Sequence, residues 1–312
     1  MSEESTTPDF AGGARARSAK EQSIKWTLFA CAALSVLVTV GIVLTLLFDA
    51  LSFFRSVPLT EFFLSTTWSP SIEETYGVLP LLAGTLIVTV ISALIAIPVG
   101  TAAAVYLSEY ASDRVRSVLK PGLEILAGIP TVVYGYFALV YLTPFLDWVG
   151  LPVGAFSTLS ASIMVGVMII PMVSSLSEDA MSSVPDSLRQ GAYGLGATKY
   201  EVSTGVVIPG AVSGIFSSYI LALSRAIGET MIVAVAMGMR ARMPTPGNLE
   251  AVVFKSGETM TVAMVELVGS EIAGGTVAYK SLFAIGLTLF VVTFVMNLLS
   301  NWVASRYREE YQ

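Results

Sequence analysis

Six stretches of this chain are apolar for longer than the core of a water-soluble domain requires: 24–48, 79–107, 121–146, 156–176, 209–238 and 279–303. A hydrocarbon core about 30 Å thick takes roughly 20 apolar residues per helix. Because lipid offers no partner to backbone amides and carbonyls, such runs cross a bilayer as helices. The expected fold class is therefore all-α: a polytopic membrane protein with six transmembrane helices. Composition excludes the ordinary soluble globule, since 54% of the 312 residues are hydrophobic and only 13% are charged. The second and fifth runs exceed a minimal span and are expected to tilt or extend beyond the membrane. Pro98, Gly128, Pro130 and Pro171 fall inside the runs, where neighbouring helices can satisfy the freed backbone groups.

Lysines and arginines set the expected orientation. With the N-terminus inside, the inner segments hold Arg15, Arg17, Lys20, Lys25, Arg114, Arg116, Lys120, Arg189, Lys199, Arg306 and Arg308. The outer segments hold Arg55, Arg240, Arg242, Lys255 and Lys280. Both termini are thus expected in the cytoplasm. The division that follows is a polar, disordered tail at 1–23, a first helix at 24–48, an external loop at 49–78, a transmembrane domain at 79–304 and a tail at 305–312. Within that domain, 178–208 forms a cytoplasmic loop and 239–278 an external one. Cys31, the sole cysteine, has no partner for an intramolecular disulfide.

Two charges interrupt the fifth run. The segment 221–239 reads LALSRAIGETMIVAVAMGM and carries Arg225 and Glu229. An arginine at the centre of a membrane helix costs about 2.5–3.5 kcal/mol on insertion scales. Such residues face a partner or a water-filled path. Four residues apart, the two side chains are expected on one helix face, within reach of each other. Two readings follow: an ion pair that sets helix register, or a guanidinium fork on a path that binds a phosphate-like anion, with Glu229 as its counter-charge. Ser224 and Thr230 could add hydroxyl donors, although such hydroxyls often bond their own backbone. Glu124 is expected to pair with Lys120 at a helix end. The segment 259–268 is expected to lie at the interface as a short helix.

Catalytic chemistry has little material here. Histidine is absent, removing the commonest general base and metal ligand. No Gly-x-x-x-x-Gly-Lys-Ser/Thr phosphate loop occurs, so any ATP must be hydrolysed by another chain.

The inner loop 178–208 is patterned as two short helices. Ser183 precedes Pro185, which is expected at the first helical position. The first helix should run to about Leu195, with Gly196 as its left-handed stop. Thr198 and Glu201 form a capping box for a second helix, expected to end before Pro209. Gly191, Ala192, Gly194 and Ala197 leave room for another surface.

This loop resembles the EAA motif of ABC-importer permeases: Glu-Ala-Ala, a glycine four residues on, then Ile-x-Leu-Pro. Here the positions read Gln190, Gly191, Ala192 and Gly196, then Val206, Val207, Ile208 and Pro209. Gln replaces Glu and Gly replaces the first Ala, which puts a salt link from position 190 in doubt. The stretch from Ser224 to Gly238, the sequence EILAGIPTVVYG at 124–135, and Leu79-Pro80 with Gly84-Thr85 resemble the phosphate permeases of the PstC type. That resemblance implies the type I importer fold, with Arg225 and Glu229 on the phosphate path and Gln190, Gly191, Ala192, Gly196, Ile208 and Pro209 at the ATPase contact. It further implies a second permease subunit of the PstA type, an ATPase dimer of the PstB type and an external phosphate-binding protein of the PstS type. ATP and Mg would belong to the ATPase, leaving no cofactor in this chain. The alternatives are the sister PstA-type subunit or a permease for another oxyanion and, in other classes, an anion channel or a membrane receptor.

Overall fold

The computed structural model describes residues 11–270 and 274–306. The expected termini at 1–10 and 307–312 lie outside them. The first helix, α1 (Ala11–Phe54), begins well inside the expected polar tail. It leads into α2 (Leu59–Leu64) and a two-stranded hairpin, β1 (Trp68–Ser69) with β2 (Thr75–Tyr76), the one departure from an all-α chain among the described residues. Next come α3 (Leu79–Val105), which ends in a π turn at Tyr106–Tyr110, and α4 (Asp113–Gly128). α5 (Thr131–Phe137) continues through a second π turn into α6 (Thr143–Trp148), and α7 (Thr158–Ser182) follows.

The loop expected inside supplies α8 (Asp186–Gly194) and α9 (Lys199–Val202). α9 continues through a π turn at Ser203–Val207 into α10 (Ile208–Gly210). α11 (Val212–Ile227) and α12 (Met231–Ala236) carry the fifth apolar run. α13 (Leu249–Phe254) and α14 (Met260–Gly269) occupy the loop expected outside, and α15 (Val277–Arg306) closes the chain.

Four helices are long and apolar enough to span a bilayer unbroken, and two bent pairs bring the number to six. The third expected span, 121–146, is broken. α4 meets the α5–α6 segment at 87°, because Pro130 holds Ile129 in extended backbone (φ −66°, ψ 130°). The fifth, 209–238, is interrupted at both ends. Residues Lys199–Gly210 meet α11 at 68°, and α11 stops at Gly228. The second loop helix does not end before Pro209. The π turn lets the helix run on through that proline to Gly210.

The central core is α3 against α7, with α11 and α12 laid over them. A Cβ on Gly100 would sit 2.7 Å from the Val173 Cβ, so glycine permits the close approach. Polar side chains bridge the same helices: Ser92 donates to the Ser162 carbonyl at 2.8 Å, and the Ser177 and Ser218 hydroxyls lie 2.7 Å apart. Such interhelical bonds hold helices together where lipid supplies no hydrophobic drive. A second, outer core of Phe53, Phe62, Tyr76, Leu81, Met260 and Ile285 ties the hairpin and α14 to the helix ends. α14 is therefore packed against α3 and α15, with Met260 and Val262 buried, and does not lie free at the interface as expected for 259–268. A third core, with Ala104, Met181, Val184, Val202, Val207 and Ile215, seats the loop helices beneath α7.

Candidate functional site

Arg225 stands in the last turn of α11, and the helix ends two residues later. Glu229 then lies in the break, not on the face of the arginine. Its backbone N–H donates to the Ala226 carbonyl at 3.2 Å, and its buried carboxylate accepts from the Ile232 N–H at 3.2 Å at the start of α12. Its carbonyl accepts from Thr261 Oγ1 at 3.0 Å, which pins the break to α14. The expected Arg225–Glu229 contact is absent among the described residues; Gly228 ends the helix, and four-residue spacing no longer brings side chains together.

Arg225 instead lines a cavity of about 380 Å³ with Lys120 and Glu124 from α4 and Met168, Ser175 and Glu178 from α7. Its side chain forms no ion pair among the described residues. The Ser224 hydroxyl is buried without a partner, and Thr230 Oγ1 donates back to the Gly228 carbonyl at 3.2 Å. Of the four path residues named from sequence, only Arg225 lines this cavity.

Glu178, expected to open the inner loop, belongs to α7 and is fully buried. It accepts from Lys120 Nζ at 2.7 Å and from the Arg116 guanidinium; Lys120 also reaches Asp179 at 3.1 Å. Lys120 therefore pairs across to α7, and the expected Glu124–Lys120 pair is not formed. Glu124 is exposed.

The inner loop keeps the expected local chemistry with two changes. Ser183 donates to the Ala180 carbonyl at 2.7 Å in place of capping α8, and Pro185 holds the N-cap position. Gly196 adopts φ +86°, the left-handed stop. The capping box is complete: the Glu201 N–H donates to Thr198 Oγ1 at 3.4 Å and the Thr198 N–H to Glu201 Oε2 at 2.7 Å. Those bonds, the backbone one first, draw the Glu201 carboxyl below its ordinary range. Gln190, Gly191 and Gly196 are exposed, and a Cβ at either glycine would meet open space. Beside them Leu195 is 92% exposed. Ala192 and Ile208 are half-buried on the inner core, and Pro209 is exposed.

Arg189 was not singled out from sequence, yet it ties this loop to the membrane domain. It donates to the Met181 and Val184 carbonyls, both at 2.7 Å, to Asp186 at 2.9 Å, and to Glu109 at 3.4 Å. The Asp186 spacing was visible along the chain; the Glu109 contact joins residues eighty positions apart.

A second cavity of about 430 Å³ is lined by Ser69 of β1, Ser71 of the hairpin loop, Arg240, Glu258 and Glu266. Glu258 is 3% exposed and its Oε1 has no hydrogen-bond partner. Burial first, then the neighbouring Glu266, pushes its carboxyl up to about 8, against a weaker downward pull from the Ala241 backbone. Among the described residues no group of three or more Cys, Asp or Glu converges as a metal site would require.

The family pattern described as "Binding-protein-dependent transport system inner membrane component" matches residues 96–309. The chain belongs to this family. The permease is 35% identical to the probable ABC transporter permease protein YqgH of Bacillus subtilis, over 89% of this chain and 88% of that one. It is 34% identical to the phosphate transport system permease protein PstC of Xylella fastidiosa (strain 9a5c), over 79% of each. Its fold is shared with a bacterial ABC transporter involved in import of the polysaccharide alginate: TM-score 0.63, 16% identity, covering 94% of this chain and 100% of that one. This is a multi-pass inner-membrane permease component of an ABC importer, and ATP hydrolysis resides in a separate subunit.

Proposed function

We propose that this permease forms half of the path of an inorganic phosphate importer. It would work with a PstA-type permease, a PstB-type ATPase dimer and a PstS-type external phosphate-binding protein, with both its termini cytoplasmic. The observation that carries the reading is Arg225: a guanidinium on a cavity between helices with no carboxylate of the described residues bound to it. A planar fork of donors matches the oxygens of a tetrahedral oxyanion. The PstC relatives support phosphate among such anions.

The ATPase would grip the face exposed at Gln190, Gly191 and Gly196, with the half-buried Ala192 at its edge. Its closure would move α8 and α9, and through Ile208 and Pro209 the bent helix that carries Arg225 in its last turn. The two permeases would then alternate access around the midplane. Glu229, with its carboxylate on α12 and its carbonyl on Thr261, would fix the break beyond Arg225, and Ser224 and Thr230 would flank it.

The test is phosphate uptake by the four-component complex in proteoliposomes, with Arg225→Lys and Arg225→Gln normalised to assembled complex. Uptake is expected to vanish with glutamine and to recover only in part with lysine, which lacks the two-point geometry. Full uptake by an assembled Arg225→Gln complex overturns the role of the arginine, and failure of the native complex to move phosphate overturns the substrate.

A further inference from the structure

Because Glu229 is spent on α12, the counter-charge of Arg225 must be sought elsewhere on the cavity wall. Two carboxylates line it, Glu178 and Glu124. Glu178 is already held by Arg116 and Lys120, and Lys120 is shared between Glu178 and Asp179. Glu124 has no ion pair among the described residues. It lies one turn beyond Lys120 on α4, in the EILAGIP stretch that ends at the Pro130 break. An anchored stretch of α4 thus carries a free carboxylate to the same cavity as a free guanidinium.

We propose that Glu124 is the exchangeable counter-charge of Arg225, a positioning residue that competes with the transported anion for the guanidinium. This rests on Arg225 being the anion's contact. In an empty path the carboxylate and guanidinium, both exposed on this chain, attract across the cavity they share. An entering oxyanion takes the fork, and Glu124, left unpaired, repels it. That repulsion keeps the site weak enough to release its cargo. Glu124 would therefore raise both KM and turnover, which a merely structural residue would not do together.

Two measurements on the assembled complex in proteoliposomes test this. In uptake assays Glu124→Gln is expected to lower KM on the order of fivefold and to lower kcat as well, because the anion is held without a competitor. Glu124→Asp should restore both towards native values. Unchanged KM and kcat in an assembled Glu124→Gln complex overturn the proposal, as does a loss of uptake that aspartate does not rescue. The second measurement needs no substrate. With Cys31 replaced by Ser, the pair Glu124→Cys and Arg225→Cys is expected to be joined by a short bifunctional thiol reagent. No joining overturns the pairing whatever the cargo is. Joining, together with native complex that fails to move phosphate but moves another oxyanion, supports the pairing and overturns only the phosphate reading.

Discussion

The clearest quantitative consequence concerns Glu258 in the outer loop. Its carboxyl, ordinarily near 4.5, is pushed up to about 8 by burial and by Glu266. The folded loop thus holds a proton that the opened loop releases. A raised folded-state value means stability fully present below 4.5 and lost as pH rises through about 8. The interval is about 3.5 pH units at 1.36 kcal/mol each, or about 5 kcal/mol of loop stability in all. Glu258→Gln keeps the shape, stays neutral and removes the slope. The assay is amide hydrogen exchange across 255–269 in lipid-embedded complex between pH 5 and 8, taken as the ratio of native to variant so that intrinsic exchange chemistry cancels. That ratio should grow by about tenfold per pH unit until it levels off near 8. Arg240 lines the same cavity and Glu266 adjoins the carboxyl, so both are left intact in the variant. A ratio that does not change with pH would show that Glu258 is ionised in the folded loop and refute the reasoning.

Three further outcomes follow from the same structure. Arg189→Ala removes the bonds from α8 to Met181 of α7, to Val184 of the linker and to Glu109; it should loosen α8 by about 3 kcal/mol and leave ATP hydrolysis running without uptake, read as the ratio of the two rates. Gly196→Val forces a branched side chain into φ +86°, at about 1–2 kcal/mol, and should uncouple the loop while membrane insertion, checked by fractionation, is unchanged. Glu178→Gln leaves Arg116 and Lys120 facing a neutral buried group. With both cations about a third exposed, it should cost about 1.5–3 kcal/mol, seen as a lower unfolding temperature in detergent, whereas Asp179→Asn, at an exposed pair, should change little.

What could be read along the chain was local. The Thr198–Glu201 box and the Gly196 stop needed only neighbours three to five residues apart, and both are in place. The six apolar runs appear as four helices and two bent pairs, because hydropathy counts residues and does not register the backbone set by Pro130 or by Ala211 (φ −97°, ψ 1°) between α10 and α11. Arg225 and Glu229 were assigned one face on the assumption of an unbroken helix; Gly228 between them was the available warning. Glu178 looked like the start of a loop because a charge normally ends an apolar run. Its burial depends on Arg116 and Lys120, 62 and 58 residues away, and no local pattern records such a partnership.

The 68° elbow before α11 makes the inner segment and the arginine two arms of one crank. The long arm, 16 residues from Val212 to Ile227, is about 24 Å at 1.5 Å per residue, and Arg225 sits near its far end. The short arm starts at Lys199, beside the exposed loop face. A push sideways on the short arm twists the long one about its own axis. A guanidinium reaches farther from the helix axis than the side chains packed on α3 and α7, so the same rotation carries it through the larger arc. The arginine can thus change the direction it faces while the close seam at Gly100 and Val173 stays shut.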